Sequence, residues 1–344
     1  MDKPFCAVTM GDPAGIGPEV ILKSLSAAPV SEDARLVVIG YPAPFERDKR
    51  LLGIDLTIDV LDSIGQYTPK HNTLSLLPPD SDLDIPLDYG LRDERCGLAA
   101  ARSIELSARL AMNGDVDAVV TAPINKESFN MAGYRFEGHT EFYQHLTGAG
   151  EIAMLLTLGD FRVIHVTTHT AVRNVPGLVT RERIITVTTL LHETLVLLGI
   201  GRPKIALCGL NPHAGESGLF GDEEATVLIP AAGELRRRGL DITDPLPPDT
   251  VFSQAYNGAF DGVVAMFHDQ GHIAVKMAAF QKREAGYDFG GVNTTLGLPI
   301  IRTSVAHGTA FDIAGKNVAS SASMLEAIDM AVRLARGRKA QKNG

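Results

Sequence analysis

Cysteine is scarce in this chain. Cys6, Cys96 and Cys208 are the only three, odd in number and far apart, which excludes a disulfide framework or a thiolate metal centre and leaves buried, inert thiols as the expectation. Long apolar runs are also missing. No stretch reaches the length of a membrane span, and Met1 to Met10 lacks the apolar core of a signal peptide, so a cytoplasmic protein without a membrane partner is expected. An excess of positive charge is absent as well: 32 Lys and Arg stand against 41 Asp and Glu, a formal charge of −9. A broad nucleic-acid surface needs a basic face, so none is expected, and any anionic ligand must find a local basic pocket. The basic run Arg336 to Lys342 reads as a solvated tail. No internal repeat or low-complexity segment interrupts the pattern.

What is present fits a soluble enzyme of two domains: 344 residues, 45% hydrophobic and 21% charged. Apolar runs at Pro4 to Met10, Ala34 to Gly40, Val116 to Val120, Arg162 to Val166, Lys204 to Cys208 and Val263 to Phe267 read as buried strands. Helices are expected over Arg92 to Asn113, from a Thr180 cap to about Leu198, from about Glu223 to Arg238, and in a closing segment with Ser323 and Glu326 at capping-box spacing that ends at Gly337. Strand and helix alternate, so the fold class is α/β.

Polar residues gather where these strands end, and in open α/β sheets ligands bind outside the carboxyl ends of strands. The first strand leads into Gly11-Asp12-Pro13-Ala14-Gly15-Ile16-Gly17-Pro18-Glu19, a glycine-rich turn opening a helix, where backbone N–H groups can approach a ligand. It is not the G-x-G-x-x-G fingerprint. His169, His213 and His268 each close a predicted strand of the second half, and three imidazoles at neighbouring strand ends can share one divalent ion, zinc or a neighbouring transition metal suiting nitrogen ligands. His71, His145, His165 and His192 lack that placement and read as structural. Lys276, Asn293, Arg302 and the His139-Thr140 pair, expected in a loop, suit a small anion. His307 to Gly315, too polar for a strand and too glycine-rich for a helix, reads as a ligand-contacting loop.

The motifs G-D-P-A-G-I-G-P-E, G-H-T-E-F, C-G-L-N-P-H-A-G-E, H-D-Q-G and T-L-G-L-P-I-I-R-T-S-V-A-H-G-T-A together resemble the 4-hydroxythreonine-4-phosphate dehydrogenase (PdxA) family, nearly end to end. That family in turn resembles isocitrate and isopropylmalate dehydrogenases in its glycine-rich turn and H-G-x-A-x-D-I-A-G loop. The resemblance implies two α/β domains around a central cleft and a homodimer with active sites shared between subunits. The expected domains are 1–135 with 303–344 on the cofactor side, and 136–302 carrying metal, substrate and dimer contacts. It further implies that His169, His213 and His268 bind the metal, that His139, Thr140, Lys276, Asn293 and Arg302 bind the substrate, and that NAD, or NADP in its place, lies against Gly11, Gly15, Gly17, His307 and Gly308.

The activity so implied is metal-assisted hydride transfer to NAD from a 4-phosphorylated 3-hydroxy acid, followed by decarboxylation. Zinc leads the metal choices, with cobalt, magnesium or manganese as alternates. Asp249 and Asp269 are the candidates to orient ligands or accept a proton. Between Phe280 and Val292 the chain carries a longer segment, Gln281 to Gly291, than the vitamin B6 enzymes do. It resembles the branch acting on 4-phospho-D-threonate or D-erythronate, while another relative oxidises a cis-dihydrodiol of terephthalate. A zinc hydrolase and a phosphometabolite-binding protein without turnover are the readings from other classes.

Overall fold

All five residues of Phe5-Cys6-Ala7-Val8-Thr9 are buried, so this strand has both faces covered and reads as a continuous apolar run rather than an alternation. It lies in the first of two α/β units in a computed structural model of the chain that describes residues 3–27, 34–80, 83–281 and 290–343. In chain order the elements are β1 (Phe5–Thr9), α1 (Gly17–Ala27), β2 (Arg35–Ile39), α2 (Pro42–Leu52), β3 (Thr57–Val60), β4 (Thr73–Leu77), α3 (Glu94–Asn113), β5 (Ala118–Thr121), α4 (Lys126–Met131) and α5 (His139–Thr147). There follow β6 (Ala153–Leu158), β7 (Phe161–His165), α6 (Val175–Leu178), α7 (Arg181–Leu197), β8 (Lys204–Leu207), α8 (Ile229–Arg237), β9 (Asp241–Ile242), α9 (Pro248–Tyr256), β10 (Gly262–Ala265), α10 (His268–Gln281), β11 (Val292–Leu296), β12 (Arg302–Val305) and α11 (Ala322–Asn343).

The first unit is Met1–Gly150, Ala285–Val292 and Leu298–Arg336. Its strands run in the order β3-β4-β2-β1-β5-β12, and the pairs are parallel throughout. The carboxyl ends of β1, β5 and β12 therefore share one edge. A core of Phe5, Ala7, Val37, Ile39, Leu77, Leu106 and Leu110 lies between sheet and helices. Local chemistry sets the helix ends: the Asp93 carboxylate accepts the Arg95 N–H at the start of α3, and Gly114, at φ 79°, closes it.

The second unit is Glu151–Glu284, Asn293–Gly297 and Gly337–Gly344. Its strand order is β11-β6-β7-β10-β8-β9. β6 and β7 form an antiparallel pair, while β7, β10, β8 and β9 are parallel to one another. Val187, Leu191, Leu195, Ile205, Leu207, Leu235 and Val264 are wholly buried in its core. Thr180 caps α7 through its hydroxyl, which accepts the Arg183 N–H at 3.2 Å.

The units divide at other points than 135 and 303. The helix α5 belongs to the first because Tyr143 Oη and Ser107 Oγ, on α3, share a buried 2.5 Å hydrogen bond. Gly337 does not end the last helix. It lies inside α11, where a Cβ would stand 2.0 Å from the Leu197 carbonyl oxygen, so close packing rather than a cap selects glycine. Ser323 and Glu326 form no capping box: Ser323 Oγ donates to Gly291 O and accepts from Ala306 N, and Glu326 accepts from Gly291 N. All three cysteines are buried and unbonded to one another, and no helix among the described residues is long and apolar enough to cross a membrane. Most of the distinctive segment Gln281 to Gly291 falls outside the described residues.

Candidate functional site

In the second unit, β7, β10 and β8 are adjacent and parallel, so the segments after them emerge side by side. His169 comes four residues after β7, His268 opens α10 three residues after β10, and His213 lies in the turn after β8. None of the three closes its strand; each sits in the following turn or helix start. The rings of His169 and His268 are 5.7 Å apart between centroids. The three are not drawn onto one point: among the described residues their ligand atoms form no group within 4.8 Å of one another.

The H-D-Q-G motif builds the setting of His268. Its Nδ1 lies 2.7 Å from Asp269 Oδ1, a contact that holds the Asp269 carboxyl below its ordinary range and engages Nδ1 rather than Nε2. Gln270 accepts from Met266 N at 2.7 Å and donates to Gly209 O at 2.8 Å, tying the end of β10 to the end of β8. Gly271 is glycine because a Cβ there would meet His165 Nε2 at 2.4 Å.

Two further histidines stand under this one. His272, one helical turn after His268, stacks on it at 3.7 Å with planes 11° apart. His165 lies wholly buried beside them. Its Nδ1 is 3.2 Å from Met154 O, and its Nε2 is 3.2 Å from His272 Nδ1, which is also 3.1 Å from His268 O. One tautomer set satisfies all three contacts: His165 donates from Nδ1, and His272 shares its Nδ1–H between His268 O and His165 Nε2. Burial pushes the His165 pKa down to about 4 and that of His272 to about 3, so both rings are neutral at physiological pH. The sequence reading set His165 aside and missed His272, whose spacing of four from His268 on a helix was the available signal. Lys276, exposed, continues the same face at a further spacing of four. Asp249 is exposed in the first turn of α9. Asn293 donates from Nδ2 to Met154 Sδ at 3.1 Å, and its Oδ1 is buried with no hydrogen-bond partner among the described residues.

In the first unit, Arg302 is 2% exposed. It donates to Thr121 Oγ1 at 2.5 Å and lies 5.8 Å from the centroid of the Tyr143 ring. Burial lowers its pKa to about 10, with Tyr143 and Glu141 acting in the opposite sense, so it stays a cation. His139 and Thr140 form the first turn of α5 rather than a loop. Burial, and then the charge of Arg302, hold His139 well below the imidazole range, and its Nε2 is buried with no hydrogen-bond partner among the described residues.

The glycine-rich turn has its own reason for glycine. A Cβ on Gly11 would meet Pro123 O at 2.4 Å, one on Gly15 would meet Thr309 O at 2.9 Å, and one on Gly17 would meet Met10 O at 2.3 Å. These three positions face the chain's own backbone. The turn instead carries the next loop: Ile16 N donates to Thr309 O at 3.1 Å, and the buried Glu19 carboxylate accepts from Ala319 N at 3.0 Å and pairs with Lys23. On that loop Gly308 has nothing within 4 Å of a Cβ, and His307 Nε2 is buried without a hydrogen-bond partner among the described residues.

The donor sets fit the groups expected of them. By donor chemistry three imidazoles following adjacent strands, one held by a carboxylate, suit zinc or a neighbouring transition ion, while their ligand atoms stand apart among the described residues. A neutral His307 with an unused ring nitrogen beside an open glycine suits a polar ligand such as a nicotinamide nucleotide.

The family model described as "Pyridoxal phosphate biosynthetic protein PdxA" matches residues 32–331. The chain is 45% identical over 345 residues to a D-threonate 4-phosphate dehydrogenase of Cupriavidus necator, covering 97% of this chain and 98% of that protein. It is 46% identical over 334 residues to a 4-hydroxythreonine-4-phosphate dehydrogenase of Desulfosudis oleivorans, covering 96% of each. A crystal structure of a 4-hydroxythreonine-4-phosphate dehydrogenase from Burkholderia phymatum matches with TM-score 0.81 at 43% identity, over 97% of this chain and 99% of that one. A beta-decarboxylating dehydrogenase of Thermococcus kodakarensis, 16% identical with TM-score 0.52 over 99% of this chain and 89% of that one, shares the fold alone.

Proposed function

Because the chain belongs to the PdxA family of pyridoxal phosphate biosynthetic proteins, we propose that it is an NAD-dependent and divalent-metal-dependent dehydrogenase of a 4-phosphorylated 3-hydroxy acid. The oxidised acid then loses CO₂. The observation that carries this reading is the placement of His169, His213 and His268 after three adjacent parallel strands, a set of nitrogen donors whose chemistry suits a divalent cation. When bound there, a divalent cation supplies Lewis-acid polarisation at the substrate's hydroxyl and carboxylate.

The chain's own residues do the rest. Asp269 fixes the ring of His268, and His272 supports it from below. Arg302, a buried and permanent cation, takes the terminal phosphate, with Thr140 and the unused Nε2 of His139 as further polar contacts. Lys276 adds positive charge on the helix face of His268, and Asn293 offers a substrate hydroxyl its Oδ1, which has no hydrogen-bond partner among the described residues. Asp249 is the candidate proton acceptor. The loop His307–Gly308 takes the nicotinamide cofactor, with Gly11, Gly15 and Gly17 shaping the turn on which it rests.

The test is NADH formation, read by absorbance, with 4-phospho-D-threonate, 4-phospho-D-erythronate, 4-phosphooxy-L-threonine and the terephthalate dihydrodiol, before and after chelation and with zinc, cobalt, manganese or magnesium restored. Turnover of a phosphorylated acid that chelation stops is expected. Hydrolysis without NAD, or binding without NADH, would refute the proposal in favour of a hydrolase or a binding protein.

A further inference from the structure

The turn that carries His213 is left-handed. From His213 to Ser217 the φ angles are 53°, 54°, 79°, 44° and 57°, and only Gly215 among these five residues is free of the Cβ penalty that disfavours the conformation. A run of this kind persists only when its surroundings over-determine it. The surroundings here converge on one side chain. Glu224, 5% exposed at the start of the turn leading into α8, accepts from the backbone N–H groups of Leu210 and Asn211 through Oε1, both at 2.8 Å. Its Oε2 accepts from Asn211 Nδ2 at 3.0 Å, which also donates to Glu223 Oε2 at 2.7 Å.

Two glycines make room for this arrangement. A Cβ on Gly215 would stand 2.7 Å from Glu224 Oε2, and one on Gly221 would stand 2.5 Å from Asn211 Nδ2. Both oxygens of Glu224 are thus spent on the residues immediately before Pro212-His213. A buried carboxylate taking charge-assisted bonds from backbone donors is a strong, directional anchor.

The geometry points to Glu224 as the positioning residue that locks the left-handed turn and so presents His213 to the metal. Glu224 is not itself a ligand in this assignment. It acts on the backbone under a ligand, as carboxylates that hold metal-binding imidazoles act on the ring. The inference rests on the reading of His213 as a metal ligand, and it explains why N-P-H-A-G-E is followed by a Glu-Glu pair.

The test uses Co²⁺, whose visible absorption reports its coordination, in chelator competition on the full-length protein, with NAD affinity measured in parallel. Glu224→Gln keeps the shape but turns one acceptor into a donor facing N–H groups. It should weaken Co²⁺ binding tenfold or more and alter the visible band while leaving NAD affinity as in the wild type. His213→Ala is the reference. If His213→Ala leaves Co²⁺ affinity and absorption unchanged, the ligand reading fails. If His213→Ala weakens binding and Glu224→Gln does not, the ligand reading stands and the positioning role falls. Equal losses of Co²⁺ and NAD affinity in Glu224→Gln would mark general destabilisation and also overturn it. Should Glu224→Gln not fold, Asn211→Ala decides, since it removes only the side-chain branch: a several-fold loss of Co²⁺ affinity supports the lock, and wild-type affinity refutes it.

Discussion

At the strand ends of the first unit the candidate groups are sunk into the protein. Arg302 is 2% exposed, Asp12 is fully buried, and the glycine turn is sealed by contacts with its own backbone. At the strand ends of the second unit His169 and His213 stand exposed, and the buried groups are His165, beside His268 and His272, and Glu224, bonded to the backbone just before His213. The first unit preorganises its groups by burial, which fixes charge and rotamer together. The second leaves its rings at the surface and anchors the neighbouring backbone with the buried Glu224 and the His268 ring with the half-buried His272, which keeps the ring nitrogens accessible. The two arrangements fail differently when broken. Removing a sunk group changes stability and one contact, whereas removing an exposed ring changes chemistry and little else.

The largest effect is therefore expected at His268. His268→Ala should lower the rate of NADH formation by more than about a hundredfold and reduce bound metal, with a thermal midpoint close to the wild type, because the ring is only half-buried. Wild-type turnover in this variant after exhaustive chelation would detach the chemistry from the histidine edge altogether.

Asp12 probes the sunk edge through pH. Burial pushes its carboxyl up to about 6 from 3.8, against the pull of the Ala14 N–H at 2.9 Å. A carboxyl raised on folding binds its proton more tightly in the native state than in the unfolded one. Its contribution is complete below pH 4 and is lost as pH rises through 6, by at most about 3 kcal/mol. Asp12→Asn should remove this fall, so the variant's stability between pH 4 and pH 6 should decline less than the wild type's in denaturant titrations. Parallel pH profiles for the two proteins would show that the raised pKa is not a feature of the fold.

Much of this was readable from residue order. Strand and helix alternation, the Thr180 cap, and three histidines after three strands follow from period and placement alone. The misses have physical causes. β11 and β12 went unread because V-N-T-T-L and R-T-S-V mix hydroxyl and charged residues into strands that are nevertheless buried. The helical start at His139 was hidden by a glycine cap, which carries no side-chain signal. Gly337 read as a stop because its reason, the Leu197 carbonyl, is distant in sequence. The left-handed turn at His213 has no local signature either, since its support, Glu224, comes eleven positions later and reads as an ordinary helix-start acid.

Arg302 sharpens the comparison at the level of substrate. Arg302→Ala should raise KM for the phosphorylated acid roughly tenfold to a hundredfold, the loss of about 1.5 to 3 kcal/mol expected when a charged donor is removed. The effect on a dephosphorylated analogue should be small, since that analogue never made the contact. Equal weakening of both would move Arg302 to the carboxylate and favour the dihydrodiol dicarboxylate as substrate.

The smallest effect is expected at His307, where a sunk group has one unused atom. Its Nδ1 is 3.0 Å from Gly308 O, which fixes that nitrogen as the donor and leaves Nε2 as an acceptor, buried and without a hydrogen-bond partner among the described residues. Burial lowers the ring's pKa, so the contact it offers a cofactor is a neutral hydrogen bond. A neutral hydrogen bond contributes about 0.5 to 1.5 kcal/mol, so His307→Ala should raise KM for NAD roughly twofold to tenfold. KM for the acid should change less, and kcat should hold, because a contact made equally in the ground and transition states affects binding alone. A larger change in KM for the acid than for NAD would assign the loop to the substrate, and the glycine turn beneath it would then serve substrate placement rather than the cofactor.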